Sequence, residues 1–160
     1  MLVPTDLLGE WDLRRTVDDR RAGASGTVTG TTTLTRTSID EVRWDESGTM
    51  SFAGRATPVS RTLFVRRAPD GSWTVHFSDG RVFHAWTWGT GVSHRCDPDD
   101  YSGTLDGDAD RWTVRWAATG PAKDYVLVSE LRRRSHPADY VHGTQLRRHR
   151  CPANHPDRAR

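Results

Sequence analysis

Lysine is almost missing from this chain. Of its 23 basic residues, 22 are arginine and one is Lys123. Isoleucine occurs once, at Ile39. That skew fits a GC-rich bacterial genome, and it makes the single lysine conspicuous. Cysteine is scarce too, with only Cys96 and Cys151. Cys151 falls in a polar, basic stretch near the C-terminus, so two free thiols are expected rather than a structural disulfide. No apolar run approaches the ~18 residues of a helical membrane span. The opening MLVPTDLLGEW has no basic segment followed by a long apolar one, which predicts no signal peptide and a cytoplasmic protein. Helical periodicity over ten residues is missing, apart from a short turn at residues 4–8. No repeat of 20–50 residues is present.

A basic fold face is missing as well, despite a pI of 8.8. The whole chain carries +2, residues 132–160 carry +6, and residues 1–131 therefore carry −4. The basicity belongs to the C-terminal stretch, which argues against nucleic acid as a partner. One domain over residues 1–134 is expected, followed by a basic, flexible tail over 135–160. A charged fraction of 28% and a mean hydropathy of −0.72 describe a water-exposed surface.

What remains is rich in strand formers. Val, Thr, Trp, Phe and Tyr recur between short turn signals, predicting strands near 9–17, 26–36, 39–45, 49–56, 58–67, 72–78, 81–88, 91–96, 101–106, 111–119 and 123–133. The segments Asp45-Glu46-Ser47-Gly48, Ala68-Pro69-Asp70-Gly71, Ser78-Asp79-Gly80 and Asp106-Gly107-Asp108-Ala109-Asp110 read as hairpin turns. The expectation is an all-β fold: one up-and-down antiparallel barrel of about ten strands, which leaves no exposed sheet edge.

Alternation sorts the faces. Trp73, Val75 and Phe77 share one face, as do Trp112, Val114 and Trp116, with Arg115 opposite. Val82, His84, Trp86 and Trp88 fall together, then Val92, His94 and Cys96. Arg61 shares its face with Val59, Leu63 and Val65. Tyr125, Leu127, Ser129 and Leu131 line up behind Lys123. If apolar faces point inward, Arg61, His84, His94, Cys96 and Lys123 enter the barrel. Unpaired polar groups in an apolar interior cost roughly 2–7 kcal/mol, so this pattern suits a pocket better than a solid core.

Gly9-Glu10-Trp11 opens the first long strand and resembles the G-x-W signature of lipocalins. That resemblance implies a calycin-like barrel in which Trp11 packs across the closed end beneath Arg132 or Arg133. A longer set of motifs follows: Leu8-Gly9-x-Trp11, Arg61, Asp79-Gly80-Arg81-x-Phe83-His84, His94-x-Cys96-x-x-Asp99-x-Tyr101, Trp112-x-x-x-Trp116 and Gly120-Pro121-x-Lys123-Asp124-Tyr125. Together they resemble a bacterial calycin-like family, the domain of unknown function 6314. That family often places an aromatic residue two positions after the arginine, where this chain has Leu63. The resemblance implies the fold and carries no settled activity.

Several chemistries compete for the polar residues. The leading expectation is a small-molecule-binding barrel. Its ligand is hydrophobic with a polar or anionic group, and Arg61, His84, Trp86, His94, Cys96, Tyr101, Trp116, Lys123 and Tyr125 hold it. The alternative is an isomerase, cyclase or lyase using His84, His94 or a desolvated Lys123 for proton transfer. A third is haem bound through His84 or His94, or zinc bound by His84, His94 and Cys96, though no zinc-type spacing is present. No cofactor is predicted outright. Against these stand plainer readings: tryptophans as core, Asp99 and Tyr101 tying a turn, Lys123 paired with a rim carboxylate. A monomer or homodimer is expected. No nucleophile elbow or catalytic triad is visible.

Overall fold

The computed structural model describes residues 1–135. Residues 136–160, with Cys151 and most of the expected tail, lie outside it. A 3₁₀ turn at Pro4–Leu7 precedes ten strands. They are β1 (Gly9–Asp19), β2 (Ala24–Ser38), β3 (Glu41–Phe52), β4 (Arg55–Arg67), β5 (Trp73–Phe77), β6 (Val82–Ala85), β7 (Val92–Cys96), β8 (Asp99–Gly107), β9 (Arg111–Gly120) and β10 (Lys123–Arg133). Every ladder between them is antiparallel, and β1 pairs with both β2 and β10. The sheet order is β6-β5-β4-β3-β2-β1-β10-β9-β8-β7. The fold is an up-and-down barrel, nearly closed, whose seam lies between β6 and β7.

Two sequence expectations fail here. The strands expected at 39–45 and 49–56 are not separate, and Asp45-Glu46-Ser47-Gly48 is not a turn: residues 41–52 form one unbroken strand, β3. The reversal comes later, at Ala53 and Gly54, both with positive φ as a tight hairpin turn requires. Gly48 serves another purpose. It stands opposite Gly30 on β2, and a Cβ on either residue would overlap backbone of the other strand. The two long strands touch there at a distance only glycine permits.

The second failure concerns Val82. A register break between Val75 and His76 pairs Val75 with His84 but His76 with Val82. Val82 is thereby left at the rim of the open end, 56% exposed, while His84 stays buried. Elsewhere the alternation holds. Trp73, Val75, Leu63, Val65, Trp112, Val114, Trp116, Ser129 and Leu131 all face in. Each large apolar side chain buried this way stabilises the fold by about 1.5–3 kcal/mol.

Candidate functional site

The two barrel ends differ in chemistry. At one end the 3₁₀ turn and a tryptophan cluster form a plug. Trp11 is fully buried, and its indole N–H donates to the Leu7 carbonyl at 2.9 Å. It meets Trp112 edge-on at 5.8 Å, and Trp112 packs on Trp44 at 5.4 Å. The arginine above Trp11 is Arg133, 4.3 Å from the ring centroid, not Arg132. Odd residues of β10 point inward, which decides between the two.

Trp86 belongs to this plug. It stacks on Trp88 at 6.1 Å, and its N–H donates to the Leu2 carbonyl at 3.0 Å. Its assignment to a ligand pocket is corrected accordingly. Strand β6 ends at Ala85, but the Trp86 N–H still donates to the Trp73 carbonyl at 2.8 Å, so the chain runs on along β5 and carries Trp86 and Trp88 to the closed end.

The opposite end is open. A cavity of about 520 Å³ there is lined by Arg61, Phe77, Phe83, His94, Cys96, Tyr101, Trp116, Tyr125 and Leu127, with Arg81, Val82 and Arg95. Phe77, Phe83 and Trp116 form a continuous stack, with centroids 4.5 and 4.8 Å apart. Strands β7, β8 and β10 on one side of the seam, and β4 with the turn before β6 on the other, contribute the polar groups. Of the nine expected ligand residues, six line this cavity: Arg61, His94, Cys96, Tyr101, Trp116 and Tyr125. Cys96 is exposed, at the end of β7.

His84 and Lys123 stand off the wall. His84 packs against Phe83 at 4.7 Å and Trp116 at 4.8 Å. Its Nδ1–H donates to the Ala85 carbonyl at 2.8 Å, which fixes that neutral tautomer. Burial lowers its pKa from 6.5 to about 4; the positive field of Arg61 adds to this, against the opposing pull of the Ala85 bond. Lys123 is not desolvated, contrary to the general-base expectation. Its ammonium donates to Asp99 Oδ2 at 2.8 Å and to the Tyr101 hydroxyl at 2.8 Å. These bonds, Asp99 first, push its pKa above the ordinary lysine value, so it keeps its proton. Asp99 fits because Gly120 beside it has no side chain: a Cβ there would strike the carboxylate. Tyr125 lies next to Tyr101, and burial raises its phenol.

Among the described residues, no group of three or more His, Cys, Asp or Glu side chains converges as a metal site would require. His84, His94 and Cys96 do not form one.

The cavity floor holds a feature the sequence reading missed. Glu46 is buried to 5% exposure, and its Oε2 accepts from Arg15 at 2.8 Å and Arg61 at 3.0 Å. Arg15 also donates to the Ser129 hydroxyl at 2.7 Å. Burial alone would push the Glu46 carboxyl up, but the charges and hydrogen bonds of Arg61 and Arg15 hold it below the ordinary carboxylate range. Glu46 Oε1 and Arg61 Nε remain buried without partners. Two guanidinium groups against one carboxylate leave this floor with one net positive charge. The signal was present in the alternation of Val42, Trp44 and Glu46 on one strand face, which the supposed turn concealed.

A second cavity of about 360 Å³ lies beside the first and shares Tyr125 and Leu127 with it. Its other walls are Arg15, Val17, Asp19, Val28, Met50, Phe52 and Val59. A small recess of about 70 Å³ shares Arg61 with the first cavity and Arg15, Val28 and Val59 with the second, and touches Glu46.

Fold and site together define a ten-stranded antiparallel barrel, plugged at one end and hollow at the other. The chain belongs to the family of unknown function DUF6314, whose model matches residues 7–133. Among solved structures the barrel is similar to the S-type phycobiliprotein lyase CPES from Guillardia theta. That match has 14% identity and a TM-score of 0.56, and covers 83% of this chain and 92% of that one. A redesigned β-barrel, mFAP0, bound to DFHBI, is similar at 17% identity and a TM-score of 0.46, covering 80% and 99%. At these identities the likeness extends to the fold alone. No curated protein matches the sequence.

Proposed function

We propose that the barrel binds a small anionic molecule with a flat apolar body. The observation that carries this reading is the open cavity walled by the Phe77–Phe83–Trp116 stack and by Arg61, which belongs to the net-positive Arg15–Glu46–Arg61 group. Arg61 gives one guanidinium nitrogen to Glu46 and keeps a third of its side chain open, 34% exposed, on the cavity wall. A carboxylate or phosphate entering there meets an unbalanced cation, and charge-assisted bonds to guanidinium are strong and directional. The ring stack supplies the apolar face against which a planar body desolvates.

Proton-transfer catalysis by Lys123 or His84 is not favoured. Lys123 holds its proton too tightly and His84 too weakly to work near neutrality.

Two measurements test the binding reading. Native mass spectrometry of the purified protein asks whether an anionic molecule co-purifies. Calorimetric titration with 2-naphthylacetate, a planar anion, then measures affinity. Arg61→Gln is expected to raise the Kd about tenfold, through loss of a charge-assisted contact. Trp116→Leu is expected to weaken binding as well. Affinity that neither substitution moves, or no binding of the probe, overturns the proposal.

A further inference from the structure

We infer that the ligand is two-armed: an anionic group carrying one aromatic arm and one aliphatic arm. The inference rests on the anion-binding reading above and deepens it. It follows from the division of the barrel interior into two cavities of different character. The cavity of about 520 Å³ presents rings, chiefly Phe77, Phe83 and Trp116. Its neighbour of about 360 Å³ presents mainly aliphatic and thioether groups, Val17, Val28, Met50 and Val59, with Phe52 the one ring it does not share. Tyr125 and Leu127 line both and form the wall they share.

The charged floor ties the cavities together. Arg61 lines the ring-walled cavity, and Arg15 lines the aliphatic one. Both arginines converge on a single oxygen, Oε2 of Glu46. The small recess between them touches all three groups. One anion seated at this floor therefore has a cation on each side and an apolar space leading away in each direction. A ligand with a single flat body leaves the aliphatic cavity to water, although its walls offer water few partners. A second, flexible apolar arm branching next to the anion fills it. The walls also sort the arms. Flat faces gain by packing on the ring stack, while methyl and thioether surfaces adapt to a bending chain.

The test compares two probes by calorimetry: 2-naphthylacetate, and the same acid bearing an octyl chain on its α-carbon. In the native protein the branched acid is expected to bind about 30-fold or more tightly, as burial of several methylenes implies. Met50→Trp puts an indole into the aliphatic cavity and is expected to bring the two probes within about threefold of each other. Met50→Phe, a smaller intrusion, is expected to shrink the gap by less, and stands in should the tryptophan variant not fold. Equal affinities of the two acids for the native protein overturn the two-armed ligand and leave the anion site standing. A gap that survives both substitutions also overturns it, because the octyl arm then lies elsewhere. Binding of neither acid overturns the anion site itself, and the two-armed ligand with it.

Discussion

His84 is 4% exposed and wedged between Phe83 and Trp116, with its pKa drawn from 6.5 down to about 4 chiefly by burial. The consequence for stability has a definite sign. In the folded protein the imidazole stays neutral down to about 4, whereas in the unfolded chain it takes up a proton below 6.5. Between those values the unfolded chain binds more protons, so stability is complete above the window and falls as pH drops through it. The loss amounts to about 3 kcal/mol for a shift of this size. Urea denaturation at half-unit intervals from pH 7 to 4.5 should show this decline. His84→Leu, which cannot titrate, should flatten it. A slope unchanged in that variant would assign the acid sensitivity to other groups. Glu46 acts in a lower window: its depressed carboxyl is lost as pH falls below the ordinary carboxylate range.

Strands β2 and β3 depend on the facing pair Gly30 and Gly48. A Cβ at Gly30 would overlap the Ser47 carbonyl oxygen, and one at Gly48 the Thr29 carbonyl oxygen. Backbone cannot swing aside as a long side chain can. Gly30→Ala is therefore expected to destabilise the protein by about 1–3 kcal/mol, read as a lower urea midpoint with little change in slope. A midpoint within error of the native value would mean that the strands separate there freely. The same pair explains where the sequence misled. Asp45-Glu46-Ser47-Gly48 has the composition of a turn, and composition does not distinguish a glycine that bends the chain from one that lets two strands touch. Reading a turn there hid Glu46, the acid that joins Arg15 and Arg61 at the cavity floor. Period-two alternation was legible wherever strands run without bulges, as in Trp112-Thr113-Val114-Arg115-Trp116, and it placed Arg61, His94, Trp116 and Tyr125 on the faces that line the cavity. It failed at Val82, because the register break sits in the partner pairing and leaves no mark on the local sequence. For Trp86 it gave the right face, since that side chain is buried like His84, but not the right end of the barrel, because alternation says nothing about position along the axis. Lys123 was singled out for its rarity, yet its protonation was set by Asp99, 24 positions away, through a contact only the fold creates.

The whole barrel divides into an end that carries stability and an end shaped for a ligand, and Arg133 shows how the first is fastened. Its guanidinium lies 4.3 Å over Trp11. It donates to the carbonyls of Leu8 at 2.9 Å, Ala109 at 2.8 Å and Asp6 at 3.3 Å. One side chain thus joins the chain start, the β8–β9 turn and the end of β10. Lysine cannot replace this fork, because a single ammonium does not span three carbonyls while lying flat on an indole. Arg133→Ala is expected to lower stability by about 2–3 kcal/mol, from the lost charge-assisted bonds and the cation–π contact together. Arg133→Lys should recover only part of that. Because the plug and the cavity share no residues, the Kd for 2-naphthylacetate should be the same in Arg133→Ala as in the native protein. The double variant with Arg61→Gln should then show the stability change of one and the affinity change of the other, added independently. A double variant whose affinity departs from that of Arg61→Gln alone would mean that the plug shapes the cavity, and that the barrel responds to its ligand as one body rather than two.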